Sequence, residues 1–430
     1  MDSWNRPEVP ALPGSGSTPR IWCTADGTLV EASAEHTARL YVCGITPYDA
    51  THLGHASSYL AYDTLQRVWL DAGYEVHYAQ NVTDVDDPLL ERADATGVDW
   101  RELAASQVAL FRSDMEHLRI LPPEDYVAVT EVIEPIAEAV AILRERGLAY
   151  PVDTPDSSVG EDLYFDVRAA ASDVWHLGAE SNLDDATMAA FFAERGGDPD
   201  RPGKRDSMDP LLWRAAREGE PSWPSVVGEG RPGWHIECSV IALQHLGSDF
   251  TVQGGGADLV FPHHDMSAGH AAALSGRPLA KVFSHAGMVA YEGEKMSKSL
   301  GNLVLVSRLV ESGVDPRVIR LSILANHYRS NWEWHDGRLA EAAGRLAAWT
   351  AAFGGAESDA EAPRNESDDS SVAVAAVTAA DLLAEVRARL ADDLDTPSVL
   401  ALLDAAALTG VDDPALVRTL TDALLGIRLA

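Results

Sequence analysis

Three groups of residues in this sequence have types and spacings suited to chemistry. His52, Leu53, Gly54 and His55 place two imidazoles where an apolar, β-branched stretch (Thr37 to Val42) gives way, through Gly44 and Pro47, to a helix-like run from Ala56 to Ala72. A helix start offers unpaired N–H groups and the positive end of the helix dipole, and a glycine there lets a nucleotide come close. Two imidazoles so placed suit an α-phosphate under attack, although two histidines at a helix start also serve as caps or surface residues. Lys295, Met296, Ser297, Lys298 and Ser299 follow a turn (Tyr291 to Glu294) and precede Gly301 and Asn302. Such a loop can carry two ammonium groups to a triphosphate. The chain has only four lysines, Lys204, Lys281, Lys295 and Lys298, so a solvated basic turn explains the second group poorly.

The third group is scattered along the chain. Cys23, Cys43 and Cys238 are too few for a disulfide framework, which leaves metal binding, catalysis or plain burial. Cys43 sits on the strand that enters the HLGH turn, Cys238 ends GRPGWHIEC, and His263 lies in GGGADLVFPHH. Two thiolates and an imidazole suit zinc, and three protein ligands leave a fourth tetrahedral position for a substrate thiolate. Zinc would then select cysteine over serine, because a soft metal distinguishes sulfur from oxygen. Taken singly, each cysteine also reads as a small buried hydrophobe and His263 as a hydrogen-bonded core residue.

These residues need a scaffold that brings strand ends together. The Thr37 to Val42 stretch, its glycine-bearing turn and the following helix lead to a second strand, Glu75 to Gln80, and the polar turn NVTDVDD at Asn81 to Asp87. That is a βαβ-like opening of the kind that binds nucleotides at strand C-termini. From Pro122 to Arg205 the pattern is mixed and acidic, helical at Glu131 to Arg146 and irregular from Pro151 onward, as in an inserted subdomain. Short strands return near Phe250 to Gln253 and Val282 to Ser284, and the chain after Gly301 is helical. The expected fold is therefore α/β, with a Rossmann-like catalytic domain, an inserted subdomain and a C-terminal helical bundle. Its expected segments are an extended N-terminus (1–36), the first half of the catalytic domain (37–121), an inserted connective subdomain (122–205), the second half with the KMSKS loop (206–300), a helical stem (301–356), an acidic linker (357–371) and C-terminal helices (372–430). No internal repeats are evident.

Composition narrows the partners. With 430 residues and 46% hydrophobic content the chain can bury several cores. A formal net charge of −34 argues against gripping a polyanion, since phosphate contacts need Lys and Arg. From Glu341 to the end there are six arginines, no lysine and sixteen acidic residues, unlike a nucleic-acid-binding tail. No apolar run approaches the roughly 20 residues that span a bilayer, and the N-terminus is polar, so no membrane contact and a cytoplasmic location are expected.

HLGH followed by KMSKS, in this order across a long insertion, resembles the catalytic domain of class I aminoacyl-tRNA synthetases. The resemblance narrows with YVCGITPYDATHLGHA, NVTDVDD, EPSWPS, GRPGWHIEC, GGGADLVFPHHD, HAGM and EKMSKSLGN, which are similar to cysteinyl-tRNA synthetase over most of residues 40 to 330. Several departures resemble instead a short branch of that family, the actinobacterial cysteine ligases of mycothiol biosynthesis. HHDMS places Ser267 where the synthetase uses a glutamate as a fourth metal ligand. ERGGDP, at Glu194 to Pro199, matches a motif associated with the ligases, and Pro88 stands where the synthetase commonly has lysine. The chain also stops soon after DDLDTP (Asp392 to Pro397), leaving little room for an anticodon-reading module.

The resemblance implies that L-cysteine is activated with ATP to cysteinyl-AMP and then joined to the amine of a glucosaminyl-inositol, releasing AMP and diphosphate, with Mg²⁺ accompanying ATP. It implies catalytic roles for His52, His55, Lys295 and Lys298, and one zinc per subunit held by Cys43, Cys238 and His263. Contacts to the adenylate are implied for Cys43, Gly44, Ile45, Thr46, Ser58, Asn81, Val82, Thr83, Trp234, Gly256, Ala257, Asp258 and Val289, with Ser58 standing where threonine is commoner. The base for amide formation and the residues that grip the sugar and inositol are not named by sequence. Two other readings are a compact cysteinyl-tRNA synthetase and a non-catalytic synthetase-like binding protein; the second predicts loss of the His and Lys pairs, which are present.

Overall fold

The computed structural model describes residues 1–296, 303–355 and 378–429. The acidic linker expected at 357–371 and Lys298 lie outside the described residues. A central sheet of five parallel strands runs in the order Ala280–Ala286, Phe250–Gly256, Thr37–Val42, Glu75–Val82, Asp125–Ala128. The chain enters this sheet at its middle strand, builds outward to one edge, then returns to build on the other side. The crevice between Thr37–Val42 and Phe250–Gly256 is thus the topological switch point, where open α/β sheets bind ligands outside the strand C-termini. HLGH follows the first of these strands and GGGAD closes the second.

TARLYV forms a strand because its residues fit a sheet covered on both faces. Alternation then assigns side chains to layers. Ala38, Leu40 and Val42 join the core that holds Leu53, Leu60 and Leu65 of the Leu53–Asp71 helix. Tyr41 and Cys43 join the opposite core, with Ile236, Cys238 and Ile241 of the Trp234–Leu246 helix. The period of two therefore delivers Cys43 to the same layer as Cys238.

A second sheet has four antiparallel strands in chain order, Ala149–Val152, Asp162–Phe165, Leu211–Ala215 and Gly230–Pro232. Its last two strands lie past the boundary expected at 205. Asp125–Ala128, which falls in the range expected for the insertion, pairs in parallel with Glu75–Val82 as a central-sheet edge. Four short apolar or mixed residues, DYVA, carry too little pattern to reveal that long-range pairing.

The helices after the loop lock onto the first helix through a buried charge cluster. Asp63 accepts from Arg67 Nε at 2.8 Å and from Arg320, and all three side chains are at most 1% exposed. Arg320 Nη1 also donates to the Leu118 carbonyl at 2.6 Å, and Arg67 donates to the carbonyls of Asp422 and Ala423 at 3.0 and 3.1 Å. Burial would raise the Asp63 carboxyl, but the two guanidiniums hold it below the usual value. Helices Pro316–Leu324 and Pro414–Leu425 are thereby fixed to the HLGH helix.

Candidate active site and metal centre

His52 is the N-cap of the Leu53–Asp71 helix, its Nδ1 accepting from the Gly54 N–H at 3.0 Å. An accepting Nδ1 places the proton of the neutral ring on Nε2. The ring stacks on His55 with centroids 3.8 Å apart. Gly54 serves this arrangement, since a Cβ there would lie 2.8 Å from the His52 ring. The chain leaving the KMSKS segment is tied to the same motif: Leu53 N–H donates to Val304 O at 2.9 Å and Val306 N–H to Thr51 O at 3.1 Å. Before the loop, Val289–Tyr291 pairs with Glu294–Lys295, and Met296 is buried. The backbone thus holds Met296 and Leu303, the described residues on either side, at the cleft beside the strand C-termini.

A cleft of about 370 Å³ opens at the switch point. Among the expected residues, Cys43, Gly44, Ile45, Thr46, His52, His55, Ser58, Trp234, Gly256, Asp258 and Val289 line it, together with Tyr48 and Asp49. Asn81, Val82 and Thr83 stand behind the wall, each at most 1% exposed. Asn81 Oδ1 accepts from the Gly44 N–H at 2.8 Å, and its Nδ2 donates to Thr83 Oγ1 at 3.1 Å, which reaches Glu237 at 3.2 Å. A Cβ on Gly44 would lie 1.6 Å from the Asn81 carbonyl, so only glycine fits. Ala257 begins the short 3₁₀ turn Ala257–Leu259 beside the cleft. A larger hollow of about 700 Å³ lies under residues 6–15, away from these groups.

Cys43, Cys238 and His263 converge, with one ligand atom from each lying within 4.8 Å of the others. The two sulfurs are 3.9 Å apart, and His263 Nε2 is 3.2 Å from Cys238 Sγ. His235 Nδ1 lies 3.0 Å from His263 Nδ1, and Trp234 stacks on the His263 ring with centroids 4.2 Å apart, which turns Nε2 toward the sulfurs. Burial would raise the Cys238 thiol, yet the Cys43 thiol and His263 pull it well below its ordinary value. Cys43 is pushed well up by burial and by Cys238. Two buried cysteine sulfurs, one drawn toward the thiolate, beside an imidazole are a donor set that fits a soft or borderline divalent metal. Ser267, by contrast, gives its hydroxyl to the His235 carbonyl at 3.1 Å.

Sequence reasoning missed the layer behind the trio. His264 Nε2 lies 3.3 Å from Cys43 Sγ and 3.2 Å from Gln253 Nε2. His264 Nδ1 lies 2.8 Å from His285 Nε2, and His285 Nδ1 lies 2.7 Å from Thr24 Oγ1. Burial lowers both imidazoles, His285 to about 3, so they are neutral at pH 7. The available signal was the second histidine of FPHH and a histidine within a buried strand. At the rim of the NVTDVDD turn, burial raises Asp86 to about 6, and burial with Asp86 nearby raises Glu237 well above the carboxylate range.

The geometry can be set beside known proteins. Residues 29–344 match the family model of tRNA synthetases class I (C) catalytic domain. A protein of Clavibacter michiganensis subsp. michiganensis, named L-cysteine:1D-myo-inositol 2-amino-2-deoxy-alpha-D-glucopyranoside ligase, is 61% identical over 435 residues, covering 100% of this chain and 99% of that protein. A Thermobispora bispora protein of the same name is 56% identical over 433 residues and covers 100% of both chains. Among solved structures, Mycobacterium tuberculosis methionyl-tRNA synthetase in complex with methionyl-adenylate superposes with a TM-score of 0.62 at 17% identity, covering 87% of this chain and 82% of that one. The last likeness shows the fold alone. The chain belongs to the family of class I (C) tRNA synthetase catalytic domains, and within it to the group whose full-length relatives are named L-cysteine:1D-myo-inositol 2-amino-2-deoxy-alpha-D-glucopyranoside ligase.

Proposed function

We propose that this enzyme ligates L-cysteine to the amine of 1D-myo-inositol 2-amino-2-deoxy-alpha-D-glucopyranoside at the expense of ATP, in mycothiol biosynthesis. A cysteine carboxylate oxygen attacks the α-phosphorus of ATP, diphosphate leaves, and cysteinyl-AMP forms. The sugar amine then attacks the activated carbonyl, an amide bond forms, AMP leaves and the amine gives up a proton. The observation that carries the reading is that Cys43 belongs both to the Cys43, Cys238, His263 trio and to the cleft lined by His52 and His55.

Zinc bound by the trio would supply a fourth coordination position for a thiolate, which favours cysteine over serine. The roles of the chain's own groups follow from their chemistry. His52 Nε2–H and His55 donate to the α-phosphate oxygens as charge builds there. Lys295 and Lys298 neutralise the departing diphosphate. Gly44, Ile45, Thr46, Ser58, Trp234, Gly256, Ala257, Asp258 and Val289 hold the adenylate, while Asn81, Val82 and Thr83 fix the backbone that meets it. Small molecules are the partners, and among the described residues no helix is long and apolar enough to cross a membrane.

Cysteine-dependent exchange of labelled pyrophosphate into ATP tests the first half of the reaction. Exchange with cysteine and at least about a hundredfold less with serine is expected. No exchange with cysteine in metal-replete protein, or equal exchange with both, contradicts the reading.

A further inference from the structure

ERGGDP is set apart in the sequence, yet none of its residues enters the chemistry above. Its helix, Asp185–Glu194, packs against the segment Val260–His264. At the C-cap of that helix, Arg195 Nη1 donates to two carbonyls, Asp258 O and Phe261 O, each at 2.7 Å. The guanidinium lies over the Phe191 ring, 3.8 Å from its centroid. The turn beyond it is tight, because a Cβ on Gly197 would lie 2.4 Å from the Phe192 carbonyl. Asp198 anchors the far side, accepting from Lys204 Nζ at 2.9 Å and from the Tyr164 hydroxyl.

Those two carbonyls belong to a segment that cannot satisfy them as a regular helix would. The residue four positions after Asp258 is Pro262, which has no N–H to give. The N–H four positions after Phe261, that of Asp265, goes to Pro262 O. Phe261 itself is extended, with φ −146° and ψ 137°. This irregular stretch carries Asp258 into the cleft and His263 into the Cys/Cys/His trio. One charged group therefore bridges two carbonyls whose i+4 partners do not serve them.

We propose that Arg195 is a positioning residue that fixes the Asp258 to His263 segment, so that the ERGGDP element holds adenylate contact and metal ligand in register from the second sheet's side of the cleft. The inference rests on the functional reading above for its kinetic and metal-loss arms, whereas its amide-exchange arm stands on the geometry alone. Arg195→Ala removes both bonds and leaves the trio and the His pair intact. The expected results are a KM for ATP and for cysteine raised about ten- to a hundredfold in pyrophosphate exchange, with kcat changed far less. Amide exchange in the peptide spanning residues 257–264 should quicken, and metal should be lost faster to a mild chelator. Arg195→Lys keeps the charge without the fork and should recover part of the KM. Arg205→Ala is the control, since Arg205 pairs with Asp166 in the same region without touching the segment. Unchanged amide exchange in 257–264 together with KM values within about twofold of the parent would overturn the proposal, as would equal effects from Arg205→Ala. Absence of exchange activity in the parent protein would count against the function, whereas amide exchange would still decide the role of Arg195.

Discussion

Cys238→Ala is expected to lose bound metal and cysteine activation together. Cys238 sits at the centre of the trio, its thiol drawn well below the usual range by the Cys43 thiol and by His263 at 3.2 Å. Without it two donors remain, and Cys43 loses the partner 3.9 Å away. Removing an outer partner of a metal ligand typically costs 10- to 100-fold in affinity or activity, so removing a ligand should cost more than about a hundredfold. Elemental analysis and cysteine-dependent pyrophosphate exchange measure the two losses separately. A full equivalent of metal in the variant would refute the assignment. Cys23→Ala should change neither, because Cys23 lies in the Arg20–Cys23 strand, outside the cleft and the trio.

The second large effect is on stability. Asp63→Asn keeps the shape but leaves Arg67 and Arg320 buried with their counter-charge gone. Breaking a buried pair in this way costs about 3–5 kcal/mol. Because the folded carboxyl is held below its unfolded value, its contribution is present above about pH 4 and is lost as pH falls through the folded-state value. The variant should therefore unfold at lower denaturant than the parent at pH 7, and the gap should shrink in acid. An unfolding midpoint equal to the parent's at pH 7 would show that the cluster contributes nothing net. The cluster lies on the C-terminal side of the HLGH helix, so the folded variant should retain its KM for cysteine.

What was legible in the sequence had local signals. Thr37–Val42 is the strand expected from TARLYV, and the glycine-bearing turn and helix follow it. The helix starts at Leu53, three residues before the periodic run suggested, because His52 provides the cap itself. HLGH and the three separate motifs bearing Cys43, Cys238 and His263 could be singled out by residue type, and the structure brings the trio together. Long-range relations were not legible. Asp125–Ala128 joins the central sheet by pairing with a strand some fifty positions earlier, which no periodicity in four residues announces. His264, His285 and Gln253 look like ordinary buried residues until the parallel pairing of the strands that bear Gln253 and His285 sets them beside His264 and Cys43. Arg195 carries no local pattern, and its part shows only in the fold, where it donates to the Asp258 and Phe261 carbonyls.

The fate of labelled cysteine is the most direct test of the function. Metal-replete protein with ATP, Mg²⁺ and labelled cysteine would be offered either the glucosaminyl-inositol or cysteine tRNA, following AMP release and the labelled product. Labelled amide on the sugar, with AMP released in equal amount and no labelled tRNA, is the expected result. Labelled tRNA with no sugar amide would contradict the account and make the enzyme a compact synthetase.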